Sequence, residues 1–135
     1  MENPARILIV DDESEVCDFL SEFLRSQGFE TACADTRENA MEAIEKMSLD
    51  AILLDVRLRG GKEPYDGIEI LEYVKRKYPA VFVMMITGID DPDLAKQSAR
   101  LGADDFITKP LSLDILEADM LKKIRNHISQ KTTRH

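Results

Sequence analysis

Histidine and cysteine are scarce in this 135-residue chain: His127 and His135 are its only imidazoles, Cys17 and Cys33 its only thiols. With no CxxC pair among them, a zinc site built from Cys and His and a dithiol redox motif are both excluded. The two cysteines are expected to be reduced packing residues. Long apolar runs are missing too. The longest, Ala80 to Ile86, falls far short of the roughly 20 residues needed to cross a bilayer, and the acidic start MENPAR is no signal peptide. A cytoplasmic protein with no membrane partner is the expectation. Basic charge is in deficit, with 18 Lys and Arg against 26 Asp and Glu and a formal net charge of −8. That balance argues against direct binding of nucleic acid, which relies on clustered Lys and Arg. Internal repeats and low-complexity segments are also lacking.

What remains is a globular composition, 44% hydrophobic and 33% charged. The length suits one domain, and no second, output domain is expected. Five short apolar runs read as strands: Ile7 to Val10, Thr31 to Ala34, Ala51 to Leu54, Val81 to Ile86, and Phe106 to Thr108. Segments with helical spacing alternate with them. Val16, Phe19, Leu20, Phe23 and Leu24 mark the first; Ala40, Ala43, Ile44 and Met47 the second; Ile68, Leu71, Val74 and Tyr78 the third. A fourth, weakly apolar, runs from Pro92 to Leu101, and the last carries Leu113, Leu116, Met120, Ile124 and Ile128. Asp91 before Pro92 reads as an N-cap, and Gly28 and Gly102 stand where a left-handed C-cap is wanted. The order is (βα)5, an α/β fold whose parallel sheet is covered on both faces.

Ligands of open parallel sheets bind at the carboxyl ends of the strands. Asp11 and Asp12 follow the first strand, Asp55 ends the third, Thr87 ends the fourth, and Lys109 and Pro110 follow the fifth. Taken singly, each has an ordinary explanation. Asp11 or Asp12 would cap a helix beginning near Glu13, Asp55 or Thr87 would serve a turn, and Lys109 would be a solvated surface charge. Those separate explanations do not cover their joint placement. Three ionised carboxylates held together repel, so that without a cation at least one pKa rises. A divalent cation removes the conflict, and an all-oxygen ligand set points to Mg2+, with Mn2+ as a substitute. An aspartate can then attack phosphorus to give an acyl phosphate, with metal and lysine offsetting charge on the transferred oxygens.

The segments ILIVDD at 7–12, ILLD at 52–55, MMITG at 84–88 and GADDFITKP at 102–110 together resemble the receiver domain of bacterial two-component response regulators. The resemblance spans nearly the whole chain. It implies one flavodoxin-like receiver domain over 1–135, doubly wound with strand order 2-1-3-4-5, in which 121–135 form the end of the last helix and a basic tail. It implies Asp55 as phosphoacceptor, receiving a phosphoryl group from a sensor histidine kinase, a phosphotransfer protein or a small donor such as acetyl phosphate. Asp12 and Asp55 would ligate Mg2+, Asp11 would do so directly or through water, and Arg57 would offer its backbone carbonyl. Lys109 would pair with the phosphoryl oxygens, ahead of a cis bond to Pro110, an isomer found in roughly 5% of such bonds generally. The Thr87 hydroxyl would bond the phosphoryl group, coupled to Phe106, which turns inward as the fourth and fifth helices shift; as an alternative, Phe106 is simply a core aromatic. The implied protein is a switch that catalyses only its own phosphorylation and dephosphorylation and controls a downstream protein or output domain, as a monomer or a phosphorylation-dependent dimer.

Departures from the family pattern cluster in one stretch. Gly67 lies twelve residues after Asp55 where eight is usual, and the extra residues fall in RLRGGKEPYDG, with Arg59 where proline is common and Pro64 later. The 60–64 insertion reads as surface elaboration or, alternatively, as a partner contact. The Arg57 side chain either lies over the phosphoryl site or pairs with a nearby carboxylate, altering the lifetime of the acyl phosphate, or is solvated. Lys122, Lys123, Arg125, Lys131 and Arg134 form either a docking stripe or the solvated end of a helix. Rival functions fare less well. A Mg2+-dependent phosphatase of the haloacid dehalogenase type usually has a second acid two residues after its nucleophile, where this chain has Arg57. A flavin or nucleotide carrier would need a glycine-rich loop after the first strand, and DDESE stands there. A degenerate scaffold would not need all five active-site residue types.

Overall fold

Nearly every residue of the first, third and fourth apolar runs is buried, a pattern that a strand shows only when both faces of its sheet are covered. The computed structural model describes residues 4–56, 58, 66–88 and 92–133. Strands β1 (Arg6–Val10), β2 (Glu30–Ala34), β3 (Ala51–Asp55), β4 (Phe82–Thr87) and β5 (Asp105–Thr108) form one parallel sheet in the order β2-β1-β3-β4-β5. Strand boundaries fall within one residue of those read from the sequence. Helices α1 (Ser14–Ser26), α2 (Arg37–Lys46), α3 (Asp66–Lys77) and α4 (Pro92–Arg100) follow the first four strands. The fifth helical element is built of α5 (Leu113–Ile115), a π segment (Leu116–Met120) and α6 (Leu121–Thr133), one after another.

Alternation along the strands divides the core in two. Ile7, Ile9, Leu53, Met84 and Ile86 meet Leu20 and Leu24 of α1 and Met120 and Ile124 of the last helix. Leu8, Val10, Ile52, Leu54, Val83 and Met85 meet Ala40 and Ile44 of α2, Leu71 and Val74 of α3, and Leu94 of α4. Thr36 caps α2 by accepting from the Asn39 N–H at 3.1 Å, and Ser112 caps α5 by accepting from the Ile115 N–H at 3.3 Å. Gly28 and Gly102 adopt φ of 96° and 101° where α1 and α4 end, the left-handed conformation expected of them. Asp91, read as the N-cap of the fourth helix, lies outside the described residues.

Two expectations need correction. Cys17 and Cys33 are joined as a disulfide, not reduced. Cys17 on the inner side of α1 comes back over the edge strand β2, which brings the two Cα atoms to 6.3 Å, inside the span a disulfide bridges. The second concerns Leu113, which is 54% exposed, so the buried stripe of the last helix begins only at Leu116. A π turn carries more residues per turn than the 3.6 spacing assumes, which takes Leu113 out of phase with Met120 and Ile124.

Candidate functional site

The parallel register brings the ends of β1, β3, β4 and β5 to one edge of the sheet. Asp55 is the last residue of β3 and pairs in register with Ile86, so Thr87 stands one step further along β4. The Thr87 carbonyl accepts from the Lys109 N–H at 2.8 Å, which fixes where the chain leaves β5. On the other side, the Asp11 N–H donates to the Ala34 carbonyl of β2 at 3.1 Å, anchoring the loop after β1. The Lys109–Pro110 peptide is cis.

Asp11, Asp12 and Asp55 converge: one carboxylate oxygen from each lies within 4.8 Å of the others. Lys109 Nζ stands 3.3 Å from Asp11 Oδ2 and 3.5 Å from Asp55 Oδ2. Thr87 is buried beside them at the end of β4. Phe106 lies on β5 opposite Met85, partly buried against the core on the α2, α3 and α4 side of the sheet. Arg57 and the 60–64 insertion lie outside the described residues, and so do the side chains of Lys131 and Arg134.

Capping does not account for the aspartates. The N-cap of α1 is Glu13, whose side chain makes no capping bond. Asp11 Oδ1 instead accepts from the Glu13 N–H at 2.9 Å, holding its own carboxylate in place. Burial is the main reason that the Asp11 carboxyl is pushed above its ordinary pKa; the bond from Glu13 and the charge of Lys109 oppose the shift, and repulsion from Glu13 adds a minor part. The mutual repulsion expected from the sequence is therefore not the leading cause. For Lys109, burial by itself disfavours the cation, but the pull of Asp55, Asp11 and Glu13 outweighs it and the pKa rises.

The residues fit a hard divalent cation. Asp11 Oδ2 is buried without a hydrogen-bond donor, its nearest cation being Lys109 at the ion-pair distance above, and the neighbouring ligand atoms are all carboxylate oxygens. Lys109 offsets only part of the cost of burying that oxygen, and a divalent cation would offset more.

Three sets of contacts, two of them at the site, could not be read from the sequence. Glu13 reaches Lys109 as well, with Oε1 3.4 Å from Nζ across 96 positions of the chain; its only sequence signal is membership of DDESE. Gly67 lies against the end of β3: a Cβ there would come within 2.6 Å of the Val56 carbonyl oxygen and closer still to that of Asp55. The basic stripe near the end of the chain is partly consumed internally, since Lys123 pairs with Asp119 at 2.8 Å and Asp105 at 3.0 Å, and Arg125 donates to the Gln27 side chain at 3.3 Å.

Comparison with known proteins gives the same fold and family. The family described as response regulator receiver domain matches residues 7–124. A curated relative, a cyclic di-GMP phosphodiesterase of Thermotoga maritima, is 34% identical over 122 residues, covering 90% of this chain and 32% of the relative. The chain thus spans about a third of that relative's length. NtrX from Brucella abortus superposes with a TM-score of 0.85 at 30% identity, over 96% of this chain and 29% of NtrX. A CheY-like receiver domain protein from Methanospirillum hungatei gives 0.83 at 27% identity and matches over nearly its full length, 95% of this chain and 99% of the other. Among the described residues no helix is long and apolar enough to cross a membrane. On the family match, the strand order and the shared architecture together, this chain belongs to the response regulator receiver domains, the phosphorylation-controlled signalling switches of two-component systems.

Proposed function

We propose that Asp55 is the phosphoacceptor of this receiver and that Asp11, Asp12, Thr87 and Lys109 form the machinery around it. The observation that carries the reading is the convergence of three aspartates on one point with Lys109 facing both Asp11 and Asp55. Of the three, Asp55 ends its strand with its side chain about one tenth exposed, whereas Asp11 is fully covered. Asp12 is more open than Asp55 but has no ion pair with Lys109 among the described residues, so of the three Asp55 alone is both reachable and within 3.5 Å of the Lys109 ammonium, and it is there that an incoming phosphoryl group is received.

In transfer, an Asp55 carboxylate oxygen forms a bond to phosphorus as the bond from phosphorus to the donor breaks and its electron pair leaves with the donor. Lys109 Nζ, already held at the rim by three carboxylates, turns to the transferred oxygens. The hydroxyl of Thr87 donates to one of them. Asp11, Asp12 and Asp55, with the backbone carbonyl of Arg57, would hold Mg2+, for which Mn2+ can substitute; when bound, the ion neutralises charge developing on the phosphoryl oxygens. The donor is a histidine kinase or phosphotransfer protein. The result is a shift in α4 and the last helix, with Phe106 moving as Thr87 does, that is read by a downstream protein or output domain.

The Thermotoga relative shares only its receiver-sized part with this chain. Its phosphodiesterase activity therefore bears on this protein only as an example of an output that a receiver controls. The test is intact mass after incubation with a phosphoryl donor and Mg2+. A single labile phosphoryl adduct is expected for the wild type and none for Asp55→Asn or with a chelator. An equal adduct on Asp55→Asn overturns the assignment.

A further inference from the structure

Beside the site lies an open groove of about 570 Å3, walled by Val16 and Phe19 of α1 and by Leu111 beyond β5, with Lys109 in its lining and Glu13 and Glu15 on the α1 side. Its walls are apolar, and Phe19 leaves 37% of its surface to solvent. Its charge is not balanced. Lys109 is already shared among Asp11, Asp55 and Glu13, and Glu15, in the first turn of α1, has no cation within 4.0 Å among the described residues. A donor whose leaving group departs from phosphorus on the side of α1 therefore places that group beside an apolar wall and two carboxylates.

We propose that this groove selects the phosphoryl donor by the charge of its leaving group: Glu13 and Glu15 favour a nitrogen-linked donor over an acyl phosphate. The inference rests on Asp55 being the acceptor. In the nitrogen donor the atom bonded to phosphorus is protonated and positive before transfer. The P–N bond breaks, its electron pair passes to nitrogen, which leaves as a neutral amine, and a P–O bond forms to Asp55. The two glutamates attract that positive nitrogen as it arrives. In an acyl phosphate the P–O bond breaks and the leaving group departs as a carboxylate. Its negative charge grows toward the transition state, so the repulsion by Glu13 and Glu15 grows with it. Val16, Phe19 and Leu111 offer no counter-charge on the other walls of the groove.

The experiment measures second-order rates of adduct formation on the wild type with phosphoramidate and with acetyl phosphate, at low and high salt, and repeats them on Glu15→Gln and on Glu13→Gln/Glu15→Gln. The double substitution is expected to lower the phosphoramidate-to-acetyl-phosphate rate ratio about five-fold at low salt, chiefly by raising the acetyl phosphate rate, with the effect shrinking as salt rises. Glu15→Gln, exposed and out of reach of Lys109, should give about two-fold in the same direction. An unchanged ratio with both donors still labelling overturns the inference, as does an equal change in both rates, which would mean that Glu13 acts through Lys109 alone. If neither donor labels the wild type, it is the assignment of Asp55 that fails, and the inference falls with it.

Discussion

Asp11 carries an electrostatic cost of a definite sign. Its carboxyl is held above its ordinary pKa chiefly by burial, so between the unfolded and folded pKa values the folded state binds more protons than the unfolded one. Stability from this group is therefore lost as pH rises through that window and stays lost above it. Asp11→Asn should accordingly raise the urea midpoint at neutral pH in the absence of divalent cations, and the gain should vanish in acid, where the wild-type carboxyl is protonated. The same substitution should weaken Mg2+ binding. A lower midpoint for Asp11→Asn at neutral pH would mean that Lys109 and the Glu13 N–H outweigh the cost of burial, contrary to this reading. Lys109 has the opposite linkage. Its pKa is raised, so its contribution is fully present below the ordinary lysine pKa and is lost only as strongly alkaline pH passes the folded value.

The elements divide by how much of their reason is local. Strands β1, β3 and β4 were legible because burial on both faces leaves an unbroken apolar run, and the polar residue ending each run then marked the edge where a site would form. Helix periodicity was legible for the same kind of reason, except at Phe19, which lies at the exposed margin of the α1 stripe, and in the last helix, whose π segment breaks the 3.6 spacing. What stayed hidden depends on how elements meet. The Cys17–Cys33 disulfide needs α1 laid back over β2, and the pairing of Glu13 with Lys109 needs β1 and β5 brought to the same edge. Gly67 is the sharpest case. In sequence it looked merely displaced by an insertion, but in the structure it is where α3 touches the carbonyl end of β3. Gly67→Ala must push α3 away from Asp55 and Val56, a cost of about 1–3 kcal/mol if the helix yields. Urea unfolding should show that loss together with slower phosphorylation of Asp55. An unperturbed variant would mean that α3 is free to shift.

At the scale of the whole molecule, the site sits where two of the helices expected to move take their direction from the sheet. Thr87 ends β4 ahead of α4, and Lys109 leaves β5 ahead of the last helix, the two joined by one backbone hydrogen bond. In the proposed switch, a change in what Thr87 and Lys109 hold would pass to α4 and α6, while α2, attached to the far edge through β2, would not be in line. Amide exchange of the phosphorylated protein should change in α4, β5 and α6 and stay constant in α2. Thr87→Ala should accept the phosphoryl group but lose most of that change. Equal changes across all the helices would point to general stabilisation in place of a switch.

The most direct test of the central claim locates the phosphoryl group itself. After reaction with phosphoramidate and Mg2+, borohydride reduces an acyl phosphate on aspartate to homoserine, and peptide mass then reads the position. Conversion at Asp55 alone is the predicted result; conversion at Asp11, Asp12 or Glu13, with Asp55 intact, would contradict the account.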